Sequence, residues 1–325
     1  MKLVVTISTG NSGGGAIHDY LIKSTKYKNP FKGQEFRIMD DPDGILNLYH
    51  NFYKNCSINN PSNAIMRFQN YIDNLVNLKI NIKNENIKIY DKEILSLTEK
   101  YIKSITTLNY NAFPQFVAIQ TSFFKKKFFN LKKKFFNLSN SHSLFKMYLP
   151  VKEDIFLKQS KIYLKKIIKI QSRNKKLNYL VLDQALNMLN FKEIFSYFDD
   201  VKIILVTRDP RGIYNSMKTR KSAAYPDDSL KVWTDWYDQT IKKFHDYKRK
   251  IPKKYSKHIL EIKFEDFVRN YEKEQKKILK FLDISKINND FDIKKTEFNV
   301  FKARKELSDF EKNYIKKKLS KYLQW

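Results

Sequence analysis

The segment Val201–Met217, VKIILVTRDPRGIYNSM, constrains the fold more than any other part of this chain. Four consecutive apolar β-formers, Ile203, Ile204, Leu205 and Val206, predict a strand covered on both faces, as in a parallel α/β sheet. The strand ends in Arg208-Asp209-Pro210-Arg211 and feeds a short helix carrying Asn215 and Ser216. An arginine there, beside a helix N-terminus, makes an anion site. The guanidinium offers a fork of donors, and the helix start adds N–H groups and the positive end of its dipole. Ser216 lies eight residues beyond Arg208, so its hydroxyl can join the same site from the helix. Taken alone, the segment also fits an ordinary strand–loop–helix with a surface arginine.

The start of the sequence, MKLVVTISTGNSGGGAIHDYLI, narrows the choice. Leu3–Ile7 reads as a strand, Gly10–Gly15 as a glycine-rich turn and Ala16 onward as a helix. Glycines let backbone N–H groups approach a phosphate closely. A Walker A loop is excluded, because Ala16 and Ile17 stand where its Lys and magnesium-binding hydroxyl belong. This argues against a kinase or NTPase. No register fits the Gly-x-Gly-x-x-Gly dinucleotide fingerprint. A loop for a phosphosulfate remains.

Together the two segments resemble the sulfotransferases that use 3'-phosphoadenosine 5'-phosphosulfate (PAPS). Asn11-Ser12-Gly13-Gly14-Gly15, flanked by Gly10 and Ala16, is similar to the family's loop around the 5'-phosphosulfate. Arg208 and Ser216 match its 3'-phosphate pair at the family's own spacing. Ile259–Phe267 resembles the strand and acidic turn that follow, and Ile278–Leu282 the next helix. Phe301–Ser308 resembles a C-terminal basic loop, in which Lys302 or Arg304 would add to the 3'-phosphate site.

The resemblance covers roughly residues 1–45 and 178–325. It implies a P-loop-like α/β core, a parallel sheet flanked by helices, interrupted by a large, mainly helical insertion over 46–177. It implies PAPS as co-substrate, no metal, and transfer of a sulfuryl group to a hydroxyl of a carbohydrate or lipid-linked glycan, as in polysaccharide biosynthesis. One departure stands out: Asn11 replaces the lysine that family members place beside the bridging oxygen. Negative charge builds on the departing phosphate. Loop amides, His18 or Arg37 would have to stabilise it. The alternative is a catalytically inactive nucleotide- or anionic-glycan-binding protein of the same fold.

Charge and cysteine usage bound the partners. Lys+Arg 63 against Asp+Glu 34 gives +29, which reflects either genome composition or a field that attracts anionic partners. No nucleic-acid-binding signature occurs, so no nucleic acid is expected. Cys56 is the only cysteine, which excludes an intramolecular disulfide and suits a reducing cytoplasm. The apolar run Leu3–Ile7 is too short for a signal peptide, and nothing approaches the ~20 apolar residues of a membrane span.

Between the two segments, Glu35–Met39 reads as a short second strand ended by the turn Asp40-Asp41-Pro42-Asp43-Gly44. Residues 45–110 look helical, with a surface loop over 79–91. Residues 125–138 repeat Lys-Lys-Lys-Phe-Phe-Asn-Leu. Phe128, Leu131, Phe135 and Leu138 share a helix face there, which suits either the insertion's own core or, over 122–138, contact with an anionic membrane. A helix near 152–171 precedes a buried strand Tyr179–Leu182, which ends in Asp183-Gln184. The stretch 219–228 reads as a loop at the site's rim.

Sulfuryl transfer to a hydroxyl needs a general base. Asp40, Asp41 and Asp43 are the first candidates, since crowded carboxylates raise one another's proton affinity. The same residues suit an ordinary turn. Asp183, ending a central strand, is the second candidate, and His18, just after the glycine loop, is the third. The other histidines are scattered and show no metal-binding spacing.

Overall fold

The structure, a computed structural model, describes residues 1–82, 84–112, 145–173, 177–220, 226, 229–285, 288 and 290–324. The Lys-Phe repeat and most of 219–228 lie outside the described residues.

Along the chain, β1 (Lys2–Ser8) and α1 (Gly14–Ser24) are followed by α2 (Ile45–Tyr49), α3 (Asn60–Asn77), β2 (Lys79–Ile82), β3 (Glu85–Lys88), α4 (Glu93–Ser104), β4 (Thr106–Ala112), β5 (Phe145–Pro150) and α5 (Glu153–Gln171). The second half runs β6 (Tyr179–Asp183), α6 (Ile194–Tyr197), β7 (Val201–Thr207), α7 (Pro210–Arg220), α8 (Leu230–Arg249), β8 (Ile259–Lys263), α9 (Phe264–Arg269), α10 (Tyr271–Leu282), α11 (Ile293–Glu306) and α12 (Asp309–Leu319).

The chain divides into two compact units, Met1–Arg37 with Lys175–Trp325, and Ile38–Asn174. The first is an α/β unit built on a parallel four-stranded sheet in the order β6-β1-β7-β8. Val4, Val181, Ile204, Val206 and Ile262 share a core with Ile17, Tyr20 and Leu21 of α1 and with Phe267, Ile278 and Leu282 of α9 and α10. The alternate residues Val5, Ile203 and Leu205 point to the opposite face, and they too are fully buried. Burial on both faces is why β7 reads as an uninterrupted apolar run. All four strands run the same way, so Ser8, Asp183, Thr207 and Lys263 end on one edge of the sheet. Ligands of open α/β sheets bind at that edge.

The second unit holds α3, α4 and α5 with two antiparallel strand pairs, β2–β3 and β4–β5. Tyr101 and Tyr163 stack at 4.2 Å in its core. Their buried hydroxyls meet Ser160 and Thr98, each at 2.7 Å. Among the described residues, no helix is long and apolar enough to cross a membrane.

Four local expectations are corrected. Glu35–Met39 forms no strand: Glu35 makes a single bridge to Asp183. The carbonyls of Ile38 and Met39 instead accept Ile45 N and Leu46 N, so their backbone is used to start α2. Residues 79–88 form a hairpin with Asn84 at positive φ, not a loop. Residues 106–112 leave the helical run to pair with β5. The expected basic loop Phe301–Ser308 is helical as far as Glu306, and Ser308 then caps α12 reciprocally with Glu311. The unit boundary falls after Arg37, which places Asp40–Asp43 with the second unit.

Candidate functional site

Two strand-to-helix junctions meet at the edge where β1 and β7 end. In the first, the chain leaves Ser8, turns through Thr9–Gly13 and enters α1. Ser12 N donates to Thr9 O at 3.1 Å, and the Thr9 and Ser12 hydroxyls hydrogen-bond each other. Asn11 adopts φ 61, a left-handed conformation that asparagine tolerates better than lysine does. Gly13 has φ 88, and a Cβ on it would lie 2.3 Å from the Phe264 ring. Gly13 is the N-cap of α1 and has no side chain with which to cap it. Gln184 clasps the strand end: its Oε1 accepts Ser8 N at 3.2 Å and its Nε2 donates to Ser8 Oγ at 2.7 Å.

The second junction is built from buried charge. Arg208 is 5 % exposed, and its Nη1 donates to Ser216 Oγ and to the Asn11 carbonyl, each at 2.9 Å. Its guanidinium carbon lies 5.0 Å from the centre of the Phe264 ring, so one ring floors both the glycine turn and the arginine. Asp209, fully buried, holds Arg211 through two parallel bonds of 2.9 and 2.8 Å. Its Oδ1 also accepts Arg211 N and its Oδ2 accepts Gln324 N, so Asp209 caps α7 and ties the C-terminal segment to the junction. Gly212 packs against the arginine: a Cβ there would lie 2.6 Å from Arg208 Nε. Glu265, 1 % exposed, accepts Asp209 N at 3.1 Å. Burial pushes its carboxyl above the usual carboxylate range.

The structure thus brings Arg208, Ser216 and the carbonyl of Asn11 together. Of the other loop residues, Ser12 and Ala16 spend their N–H groups on Thr9 O and Gly13 O, which leaves them to shape the turn. Gly10, Gly14 and Gly15 line the turn and the first helical residues. Lys302 sits on α11 and pairs with Glu306 at 3.5 Å. Glu306 in turn accepts Asn215 Nδ2 at 2.9 Å, which docks α11 onto α7 one residue before Ser216. The side chain of Arg304 lies outside the described residues.

The candidate bases divide between the units. Asp183, at the end of β6, accepts the Thr6 hydroxyl at 2.7 Å. Burial raises its proton affinity, an effect that the bond from the Thr6 hydroxyl partly offsets. His18 is 2 % exposed on α1, and its Nε2 meets Asn29 Nδ2 at 2.8 Å. Asn29 Oδ1 accepts Phe31 N and its Nδ2 donates to Gln34 O, which fixes the amide orientation. His18 Nε2 is therefore the acceptor, and its lone pair is already used. Arg37, the other suggested cation, pairs with Glu35 at 3.1 Å. In the second unit, Asp43 pairs with Arg67 at 2.8 Å and Asp41 accepts the Tyr71 hydroxyl at 3.1 Å, while Asp40 shares their turn. Among the described residues, no three His, Cys, Asp or Glu side chains are grouped to hold a metal.

Sequence reasoning missed the site roles of Phe264, Glu265, Gln184, Gly212 and Gln324. Phe264-Glu265 directly follow β8, inside the acidic turn that the resemblance covered without assigning either residue a role. Gln184 and Gln324 act through contacts with distant parts of the chain, and Gly212 acts through packing against Arg208 that a local pattern of residue types does not show.

A family model described as "Sulfotransferase family" matches residues 94–288, more than half of the chain. The chain belongs to that family. The match includes Arg208, Ser216, Phe264 and Glu265, and the glycine turn lies outside it. No curated protein matches the chain. Solved structures similar to it include sulfotransferase STF1 from Mycobacterium tuberculosis H37Rv, at 8 % identity and TM-score 0.39 over 92 % of this chain and 76 % of that one. The sulfotransferase domain from the curacin biosynthetic pathway is 11 % identical, with TM-score 0.38 over 98 % and 97 % of the two chains. The sulfotransferase domain of the Synechococcus PCC 7002 olefin synthase is 14 % identical, with TM-score 0.32 over 65 % and 81 %.

Proposed function

We propose that this member of the sulfotransferase family transfers the sulfuryl group of PAPS to a hydroxyl of a carbohydrate or lipid-linked glycan. The observation that carries the reading is Arg208 Nη1, held between Ser216 Oγ and the Asn11 carbonyl at 2.9 Å each. A buried guanidinium with a hydroxyl beside it and a glycine turn against it suits the 3'-phosphate of the nucleotide. The turn and the start of α1 suit the 5'-phosphosulfate.

Sheet order supports a division of labour. In β6-β1-β7 the glycine turn has Arg208 on one flank and Asp183 on the other, about 10 Å apart at two strand spacings. The nucleotide would lie on the Arg208 side and the acceptor on the Asp183 side. Asp183 would take the acceptor proton as the oxygen attacks sulfur and the bond from sulfur to the bridging phosphate oxygen breaks. Asp183 belongs to the unit that carries the turn, and burial has raised its proton affinity toward that of a useful base. Asp41 and Asp43 belong to the other unit. The basic composition favours an acidic or lipid-linked acceptor reached from the cytoplasm, with contact to anionic membrane through 122–138. Cosedimentation with anionic but not neutral vesicles tests that contact.

The decisive experiment is calorimetric titration with adenosine 3',5'-bisphosphate and, separately, with ATP and magnesium. Binding of the bisphosphate alone, with transfer from radiolabelled PAPS to a glycan acceptor, is the expected result. Bisphosphate binding with no transfer to any acceptor would identify the inactive binding protein that Asn11 suggests. Tighter binding of ATP would overturn both.

A further inference from the structure

Glu265 stands apart in the second junction. Buried carboxylates are ordinarily satisfied through both oxygens. Glu265 Oε1 accepts Asp209 N, but its Oε2 is buried with no hydrogen-bond partner among the described residues. Its Oε1 comes no nearer than 4.0 Å to Arg208 Nε, beyond hydrogen-bond reach. An acid that aims an arginine normally closes to about 2.8 Å in a bidentate pair, as Asp209 does with Arg211 in the same junction. Arg208 takes its orientation elsewhere, from Ser216 Oγ, the Asn11 carbonyl and the Phe264 ring. Glu265 therefore acts on Arg208 through charge rather than through geometry.

We infer that Glu265 is a built-in counter-anion that weakens the grip of Arg208 on the nucleotide phosphate and so speeds departure of the spent nucleotide. The inference rests on the reading of Arg208 as the phosphate donor. Asp209 is neutralised by Arg211, so at this junction the fold leaves the Arg208 charge offset by an acid that does not bond to it. An arriving phosphate meets a cation already partly compensated. Water cannot screen the repulsion, because Arg208 and Glu265 are both buried. A site designed only for affinity would carry a neutral acceptor for Asp209 N.

The test is Glu265→Gln in the full chain, with adenosine 3',5'-bisphosphate as probe. Gln keeps the length and an acceptor for Asp209 N but removes the charge. Affinity should rise roughly tenfold, with most of the change in a slower dissociation rate by stopped flow. Glu265→Ala, which loses the Asp209 contact as well, should bind more weakly than Glu265→Gln. A purely structural role predicts instead that both variants bind at or below the parent affinity, and that result overturns the inference. If Glu265→Gln does not fold, Glu265→Met decides by the same criterion: tighter binding supports the counter-anion, and equal or weaker binding removes it. Arg208→Ala separates the two readings. If it binds the bisphosphate as the parent does, the phosphate assignment itself has failed. If it loses affinity while Glu265→Gln gains none, only the counter-anion has failed.

Discussion

The junctions after β1 and after β7 solve one problem in opposite ways. Both end a buried parallel strand and start a helix at the same sheet edge. The first holds no charged residue between Ser8 and Ile17 and relies on backbone, with Asn11 and Gly13 at positive φ. The second packs Arg208, Asp209, Arg211 and Glu265 into space largely closed to water. A backbone turn can approach an anion closely but brings only partial charges. A buried arginine brings a full charge but must be held and compensated. The bond from Arg208 to the Asn11 carbonyl joins the two junctions.

The largest expected effect lies on the far flank of the turn. Asp183→Asn should lower turnover by a factor on the order of 10²–10⁴ and leave bisphosphate affinity nearly intact, because a base acts on the acceptor. Turnover of the parent should fall as pH drops through the raised Asp183 pKa, since the protonated carboxyl cannot accept the acceptor proton. Asp41→Asn and Asp43→Asn, made singly, should keep most of their turnover. If either is dead and Asp183→Asn is active, the acid turn of the second unit supplies the base.

The next effect separates backbone from charge directly. Gly13→Ala places a methyl group 2.3 Å from the Phe264 ring at a backbone conformation that alanine resists. Strain and overpacking together should cost about 3 kcal/mol of stability, read by chemical denaturation. Parent-like stability would mean that Phe264 yields and is not the floor of the turn.

How much of this was legible beforehand follows from the range of each contact. β7, Arg208 and Ser216 were readable because an apolar run and a fixed spacing are local signals. The glycine turn was readable for the same reason. The need for glycine at residue 13 was not, because it arises from a ring 251 positions away, Phe264. Glu35–Met39 looked like a strand, but strand formation depends on a partner edge, and the carbonyls of Ile38 and Met39 went to α2 instead. The hairpin at 79–88 carried an alternating signal, with Ile80 and Ile82 separated by Asn81, which its Lys- and Asn-rich composition concealed. Asp183 was visible at its strand end, but its burial was not.

Within the charged junction, Arg208→Ala should weaken bisphosphate binding by about 1.5–3 kcal/mol, or roughly tenfold to a hundredfold. Ser216→Ala should lose less, about 0.5–1.5 kcal/mol, because it removes one neutral contributor while the guanidinium keeps the Asn11 carbonyl. Calorimetry on both, beside Asn11→Ala, tests whether residue 11 contributes through its side chain. A loss in Asn11→Ala equal to that in Arg208→Ala would show that the first junction is not a backbone device.

The smallest effect is the sharpest check on that device. Gly15 lies two residues beyond Gly13, yet nothing among the described residues stands within 4 Å of where its Cβ would be. It occupies the first turn of α1, and its φ is not in the left-handed region. Alanine there should reduce the freedom of the unfolded chain and favour the helix, which stabilises the protein by about 0.5–1 kcal/mol. The contrast with Gly13→Ala, of opposite sign and several times larger, would confirm that the turn is specified at one glycine by a distant ring and not by glycine content as such. Bisphosphate affinity decides the functional half. If the phosphate approaches α1 along its axis, a methyl group pointing into open space leaves affinity within about twofold of the parent. A gain in stability accompanied by a tenfold loss of affinity would mean that the anion lies against the side of the helix at Gly15, and that the first junction binds through close approach over the whole glycine run.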